Sequence, residues 1–246
     1  MKWLLVLLSL LSVTTYPQPQ RWQESPLQFR QALGSPASLY SQALLSEAYH
    51  RLGIRVEFIE VPFGRSLLES NKGELAGELA RVLRVTERYP ALLPVPYVLF
   101  DTDVFLYVNQ QRCAGCQLQQ VQSLAYVRGA MVVEEILRTL PASRQVISTG
   151  SLEATKNLFL TGKVDGVVFA AYQLDASTGF PIAEQRLQSL PDYHLLHQSH
   201  QALIPELTAM LYQLEREGFA ERLRLRFGVA TPKRQLSRNE KPFAEY

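Results

Sequence analysis

From residue 27 onward the apolar positions first alternate and then shift to helical spacing. Leu27, Phe29, Gln31 and Leu33 share one face of a predicted strand over 27–33. Gly34-Ser35-Pro36-Ala37-Ser38 makes a turn, with Ser38 as the expected cap of a helix over 39–52, where Tyr40, Leu44, Ala48 and Leu52 recur at helical spacing. Gly53 stops that helix, and 54–60 alternates cleanly as a second strand. A β-α-β opening predicts a parallel sheet with a crossover helix. Val61-Pro62-Phe63-Gly64-Arg65 leads into a short helix over 66–72 that Gly73 ends. Residues 73–81 read as a short strand running into a basic loop, and 103–108 alternates as the next strand.

Residues 110–121 are polar and Gln-rich and read as the crossing into a second lobe. Strands are expected at 123–128, 144–148 and 162–170, and helices at 130–139 and 151–161. Residues 192–200 are expected to bring the chain back to the first lobe. The tail carries the best helical pattern: Leu203, Leu207, Met210, Leu211 and Leu214, with Pro205 tolerated in the first turn. Gly218 ends this helix, and Phe219, Leu223 and Phe227 form one more apolar stripe. Residues 231–246 are polar and expected to be loose. The expected division is therefore a first lobe of 25–109 plus 192–246 and an inserted second lobe of 110–191.

A hydrophobic content of 47% and a charged content of 20% over 246 residues describe a globular chain with a sizeable core. The formal charge of +2 comes without a basic run, so composition gives no nucleic-acid surface. Lys2 followed by the apolar run 3–13 predicts a secretory signal peptide over 1–20, too short for a membrane span of about 20 residues. No Cys follows the run, which argues against a lipoprotein. The only cysteines are Cys113 and Cys116. In an exported protein a short structural disulfide is the expected state, with inert thiols or a redox or metal role as the alternatives.

Nucleophile elbows, phosphate loops, dinucleotide fingerprints and HExxH are missing from the sequence, so no cofactor or metal is expected. Glu134 and Glu135 are neighbours on a helix and face different ways. The arginines say more. Arg65, Arg81, Arg84 and Arg88 cluster near a strand end, where open α/β sheets bind ligands, and a guanidinium fork suits a carboxylate.

The order of these pieces resembles the family 3 extracellular solute-binding proteins, bacterial transport receptors of the polar-amino-acid type. Gly73 to Ala76 resembles the family's G-x-x-D element, with Ala in place of Asp. Thr86-Glu87-Arg88 resembles its T-x-x-R loop, one residue shorter, and Pro96-Tyr97 its P-Y before a long strand. In the second half, Gly162, Asp165 and Gly166 resemble its G-x-x-D-A element, and the resemblance covers about 27–228.

The resemblance implies an α/β, two-lobed type II periplasmic-binding-protein fold, a mostly parallel sheet in each lobe, and no enzymatic activity. It also implies a periplasmic, monomeric protein that takes up a small solute, expected to be anionic, between the lobes and delivers it to an inner-membrane ABC-type permease. Arg88 would hold the ligand carboxylate by motif, with Arg81 and Arg65 as alternatives. Phe63, Tyr97 and Tyr40 would supply aromatic walls, and the N–H groups of Gly129 and Ala130 would receive an anionic part of the ligand. Ala170 falls where amino-acid-binding members carry an Asp for the α-ammonium, so ordinary amino acids are expected to bind poorly. The alternatives are a sensory domain coupled to a receptor, or a dehydratase-like enzyme with Glu78 as its acid.

Overall fold

Among the described residues eight strands pair edge to edge in the order β2-β1-β3-β8-β4-β7-β5-β6, numbered along the chain as given below. The computed structural model describes residues 25–32, 34–170, 172–174 and 179–233. The expected signal peptide, Leu33 of the first strand and the end of the tail from 234 lie outside the described residues.

The first half of the chain builds β1 (Leu27–Arg30), α1 (Pro36–Arg51), β2 (Val56–Ile59), α2 (Phe63–Lys72), β3 (Gly77–Val82), a single turn α3 (Val85–Arg88) and β4 (Leu92–Asn109). The second half builds β5 (Ser123–Val127), α4 (Met131–Arg138), β6 (Gln145–Thr149), α5 (Leu152–Leu160), β7 (Gly166–Ala170), β8 (Ile182–His197), α6 (Ile204–Arg216) and α7 (Phe219–Phe227). Helix α1 begins three residues earlier than its apolar period suggests. Ser35 is the cap, accepting from the Ser38 N–H, and Pro36 fits the first helical turn, where its missing donor costs nothing.

β1 pairs in parallel with both β2 and β3, and β5 with both β6 and β7. Between these two groups run β4 and β8, antiparallel to each other, of 18 and 16 residues. At about 3.3 Å per residue such strands reach far beyond one small sheet. The start of β4 lies beside the end of β8, and Val104–Val108 pairs on its other edge with Gly166–Ala170 of β7. Pro94 and Pro96 cannot donate to a ladder, and the β4–β8 register shifts between Pro94 and Val98. Gly77 opens β3 against β8 so closely that a Cβ there would collide with the Leu195 carbonyl.

One apolar cluster joins β1, β3 and the start of β4 to α1, α6 and α7, with Leu207, Leu211 and Leu214 completely buried. Each such leucine stabilises the fold by about 1.5–3 kcal/mol. A second cluster follows β4 and β8 to α4, and a third packs α5 on β5 and β7. Cys113 and Cys116 are joined by a disulfide in the turn after β4. Beside it Arg112 donates to Asp165 at 2.6 Å, and the Ser123 N–H donates to the same carboxylate at 3.1 Å.

Candidate functional site

A cavity of about 140 Å³ opens where the carboxyl ends of β1 and β3 meet the turn between β5 and α4. Arg30 ends β1, Arg81 lies near the end of β3, and Phe63 opens α2. Ser35 and Ser38 come from the start of α1, and Phe100, Thr102 and Asp192 from the paired middles of β4 and β8. The opposite wall is apolar and consists of Gly129, Ala130, Met131, Val132 and Ala170. A single water needs only about 10–15 Å³ of such space, so the cavity has room for more than a lone water.

The walls touch at Gly64 and Gly129. Gly129 has φ +87°, and a Cβ on it would sit 2.7 Å from the Gly64 Cα, so both the backbone turn and the close approach require glycine. Arg84 donates to Glu135 across the same gap at 2.7 Å.

Arg81 is a satisfied cation. It is 5% exposed, and its Nε donates to Glu78 Oε2 at 2.7 Å, its Nη2 to Ser66 Oγ at 3.1 Å. Its guanidinium also lies 3.8 Å from the Phe63 ring centroid. Glu78 is 1% exposed, and its other oxygen accepts from Ser70 Oγ at 2.9 Å. Both carboxylate oxygens are therefore engaged, which leaves Glu78 poorly placed to act as a free acid.

Arg30 differs. It lies 5.0 Å from the Phe63 ring on the same wall, and its Nη1 donates to the Gln31 carbonyl at 3.1 Å. Its Nε is enclosed without a partner. Burial, and then the like charge of Arg81, lower its pKa to about 10 against the opposing pull of Glu78.

Asp192 is 4% exposed and accepts a hydrogen bond from Thr102 Oγ1. Burial pushes its pKa up to about 8, with Asp101 adding to the rise and Arg81 opposing it. The folded protein therefore keeps a proton that the unfolded chain loses at its ordinary 3.8. Stability from the neutral acid is full below about pH 4 and is lost as pH rises towards 8. Asp192→Asn keeps the shape and cannot ionise. Its stability relative to the parent should rise across that window by up to about 1.4 kcal/mol per pH unit, read from urea unfolding at several pH values. A gap that does not change with pH would refute the neutral acid.

Five of the residues expected from the sequence line the cavity: Phe63, Arg81, Gly129, Ala130 and Ala170. The other four do not, each for a physical reason. Arg65 is on the outer face of α2, with its side chain 70% exposed and paired to Glu69. Arg88 is exposed at the end of α3 and lies over Tyr89 instead. Tyr40 and Tyr97 are fully buried in the core behind the sheet. There the Tyr97 hydroxyl donates to Glu215 at 2.6 Å, and Arg224 bonds both Glu215 and the Tyr40 hydroxyl, which ties α1 and β4 to the tail helices. The N–H groups of Gly129 and Ala130 are also taken, by the Glu134 carboxylate and the Val127 carbonyl, so they are not free for an anion.

Sequence reasoning missed Arg30, Thr102 and Asp192. Arg30 gave little signal, because the expected strand runs on to residue 33 and sets it on the face away from Leu27 and Phe29, so its place at a strand's carboxyl end, where open sheets bind ligands, comes from the fold. Thr102 and Asp192 gave none, because their pairing needs β4 and β8 in register.

No protein-family model and no curated protein sequence matches the chain. Solved structures do match its fold. The substrate-binding protein of an amino acid ABC transporter aligns with TM-score 0.69 at 11% identity, over 82% of this chain and 99% of that one. An ancestral arginine-binding protein bound to arginine aligns with TM-score 0.68 at 14% identity, over 82% and 97%. An ancestral amino acid-binding protein, described as a precursor of cyclohexadienyl dehydratase, aligns with TM-score 0.67 at 10% identity, over 82% and 94%. Among the described residues no helix is long and apolar enough to cross a membrane. The mixed sheet, its two crossing strands and these likenesses together give the chain an α/β, two-lobed type II periplasmic-binding-protein fold.

Proposed function

We propose that this protein captures a small anionic solute in the cleft between its lobes and delivers it from the periplasm to an ABC-type permease. One observation carries the reading: a cavity with cationic and polar groups on one wall, closed by an apolar wall from the β7 and β5 end of the sheet. The names of the structural neighbours, substrate-binding proteins for amino acids, support solute capture. The apolar N-terminal run supports export. Strand pairing supports a hinge where Phe100–Asp103 of β4, in the expected first-lobe segment 25–109, lies beside Ser189–Asp192 of β8, which straddles the expected boundary between the second lobe 110–191 and the returning first-lobe segment 192–246. The engaged oxygens of Glu78 favour binding over dehydration chemistry.

A thermal-shift screen of small carboxylates, α-amino acids, amines and sugars tests the reading. A solute at about 100 times its Kd should add roughly 2.7 kcal/mol, a melting shift of about 5–10 °C. The carboxylates are expected to give it. Silence from every class would end the solute-binding reading, and a response from amino acids alone would end the anionic one.

A further inference from the structure

Resting on that reading, we infer that Arg30 anchors the ligand and that the ligand is a monoanion with an apolar body and no ammonium group. Arg30 is 6% exposed, lines the cavity and has no carboxylate in ion-pair range among the described residues. Its buried Nε lacks a partner altogether. A guanidinium held this way costs the empty fold stability, because its lost hydration is not replaced. A carboxylate entering the cavity would replace it with charge-assisted hydrogen bonds. Arg81 offers no such opening, since Glu78 already pairs with it.

The charge balance of the cavity sets the ligand class. Arg81 and Glu78 cancel, and Asp192 is held neutral by burial at pH 7, which leaves the single charge of Arg30. One net positive charge fits one anionic group. None of the described lining residues supplies a free ionised carboxylate for an α-ammonium, and an enclosed ammonium without a partner is costly. The rest of the ligand would meet Val85, Phe100, Met131, Val132 and Ala170, which favour hydrocarbon over further polar groups.

The test compares the parent with Arg30→Met, Arg30→Lys and Arg88→Ala. The probes are hexanoate and phenylacetate, their α-amino counterparts norleucine and phenylalanine, and hexylamine, followed by thermal shift and calorimetry. The parent and Arg88→Ala should bind a carboxylate and ignore the amino acids and the amine. Arg30→Lys should bind it more weakly. Arg30→Met should lose about 30-fold or more in affinity while its empty form melts no lower than the parent, since it sheds an unpaired buried charge. A lower melting temperature for empty Arg30→Met would make Arg30 a structural residue and overturn the inference. Carboxylate binding to Arg30→Met within threefold of the parent would also overturn it. So would a parent that prefers the amino acids, or one that binds none of these probes. Binding of an amine or a sugar in the wider screen would still leave the solute-binding reading standing, so the two can fail separately.

Discussion

Arg81→Ala is expected to destabilise the protein by about 3–5 kcal/mol, read as a lower urea midpoint with an unchanged slope. The reason is the partner left behind. Glu78 is 1% exposed, and without Arg81 its carboxylate keeps only the Ser70 hydroxyl among the side-chain partners it has now. Burying a charge costs several kcal/mol, and the pair is tolerable only because each half neutralises the other. Arg81 also lies over Phe63 and bonds Ser66, so its loss loosens the start of α2 at the cavity wall. Two comparisons isolate the cause. Arg88→Ala should stay within about 0.5 kcal/mol of the parent, because Arg88 is exposed. Arg81→Met combined with Glu78→Leu should recover most of the loss, because apolar side chains of similar volume can replace a buried pair. A single Arg81→Ala variant as stable as the parent would show that the Glu78 contact does not hold the strand end.

The same contrast explains how much of the site was legible in the sequence. Motif order brought Phe63, Arg81, Gly129 and Ala170 to one cavity, because each sits at the end of a strand or the start of a helix that the apolar pattern located. Motif order could not tell which arginine is already paired. The partner of Arg81 is only three residues away, but the burial that makes the pair matter comes from α2 and β8. Arg30 looked like the exposed position of an alternating strand, since Leu27 and Phe29 take the core side and Gln28 is exposed. Phe63 covers it only after α2 has folded across the end of β1. Tyr40 and Tyr97 lie behind the sheet and away from the cavity because their polar partners, Glu215 and Arg224, more than a hundred residues away in the tail, hold them there.

The fold was read unevenly for related reasons. Local periods are enough for α1 and α6, whose apolar stripes face one core. The first part of β8 carries no strand signal in the sequence, because Glu184 and Arg186 interrupt a weak alternation of half-buried residues, and its last part, 192–197, is expected there only as a return to the first lobe. Its pairing with β4, not its own composition, makes it a strand. β4 was recognised only over 103–108, because Pro94 and Pro96 look like breaks until β8 accommodates them with a register shift.

The claim that a solute is captured between the lobes is tested most directly by filling the space from the far wall. Ala170 ends β7 and lines the cavity opposite the arginines, and Phe in its place would occupy volume that the ligand needs. The measurement is a calorimetric titration of the parent and of Ala170→Phe with the carboxylate that gives the largest thermal shift. Circular dichroism on both proteins checks that the fold is retained. One site is expected in the parent and a loss of at least about 100-fold in the variant, or about 2.7 kcal/mol. A folded Ala170→Phe protein that binds the carboxylate as tightly as the parent would place the ligand outside this cavity and contradict the account.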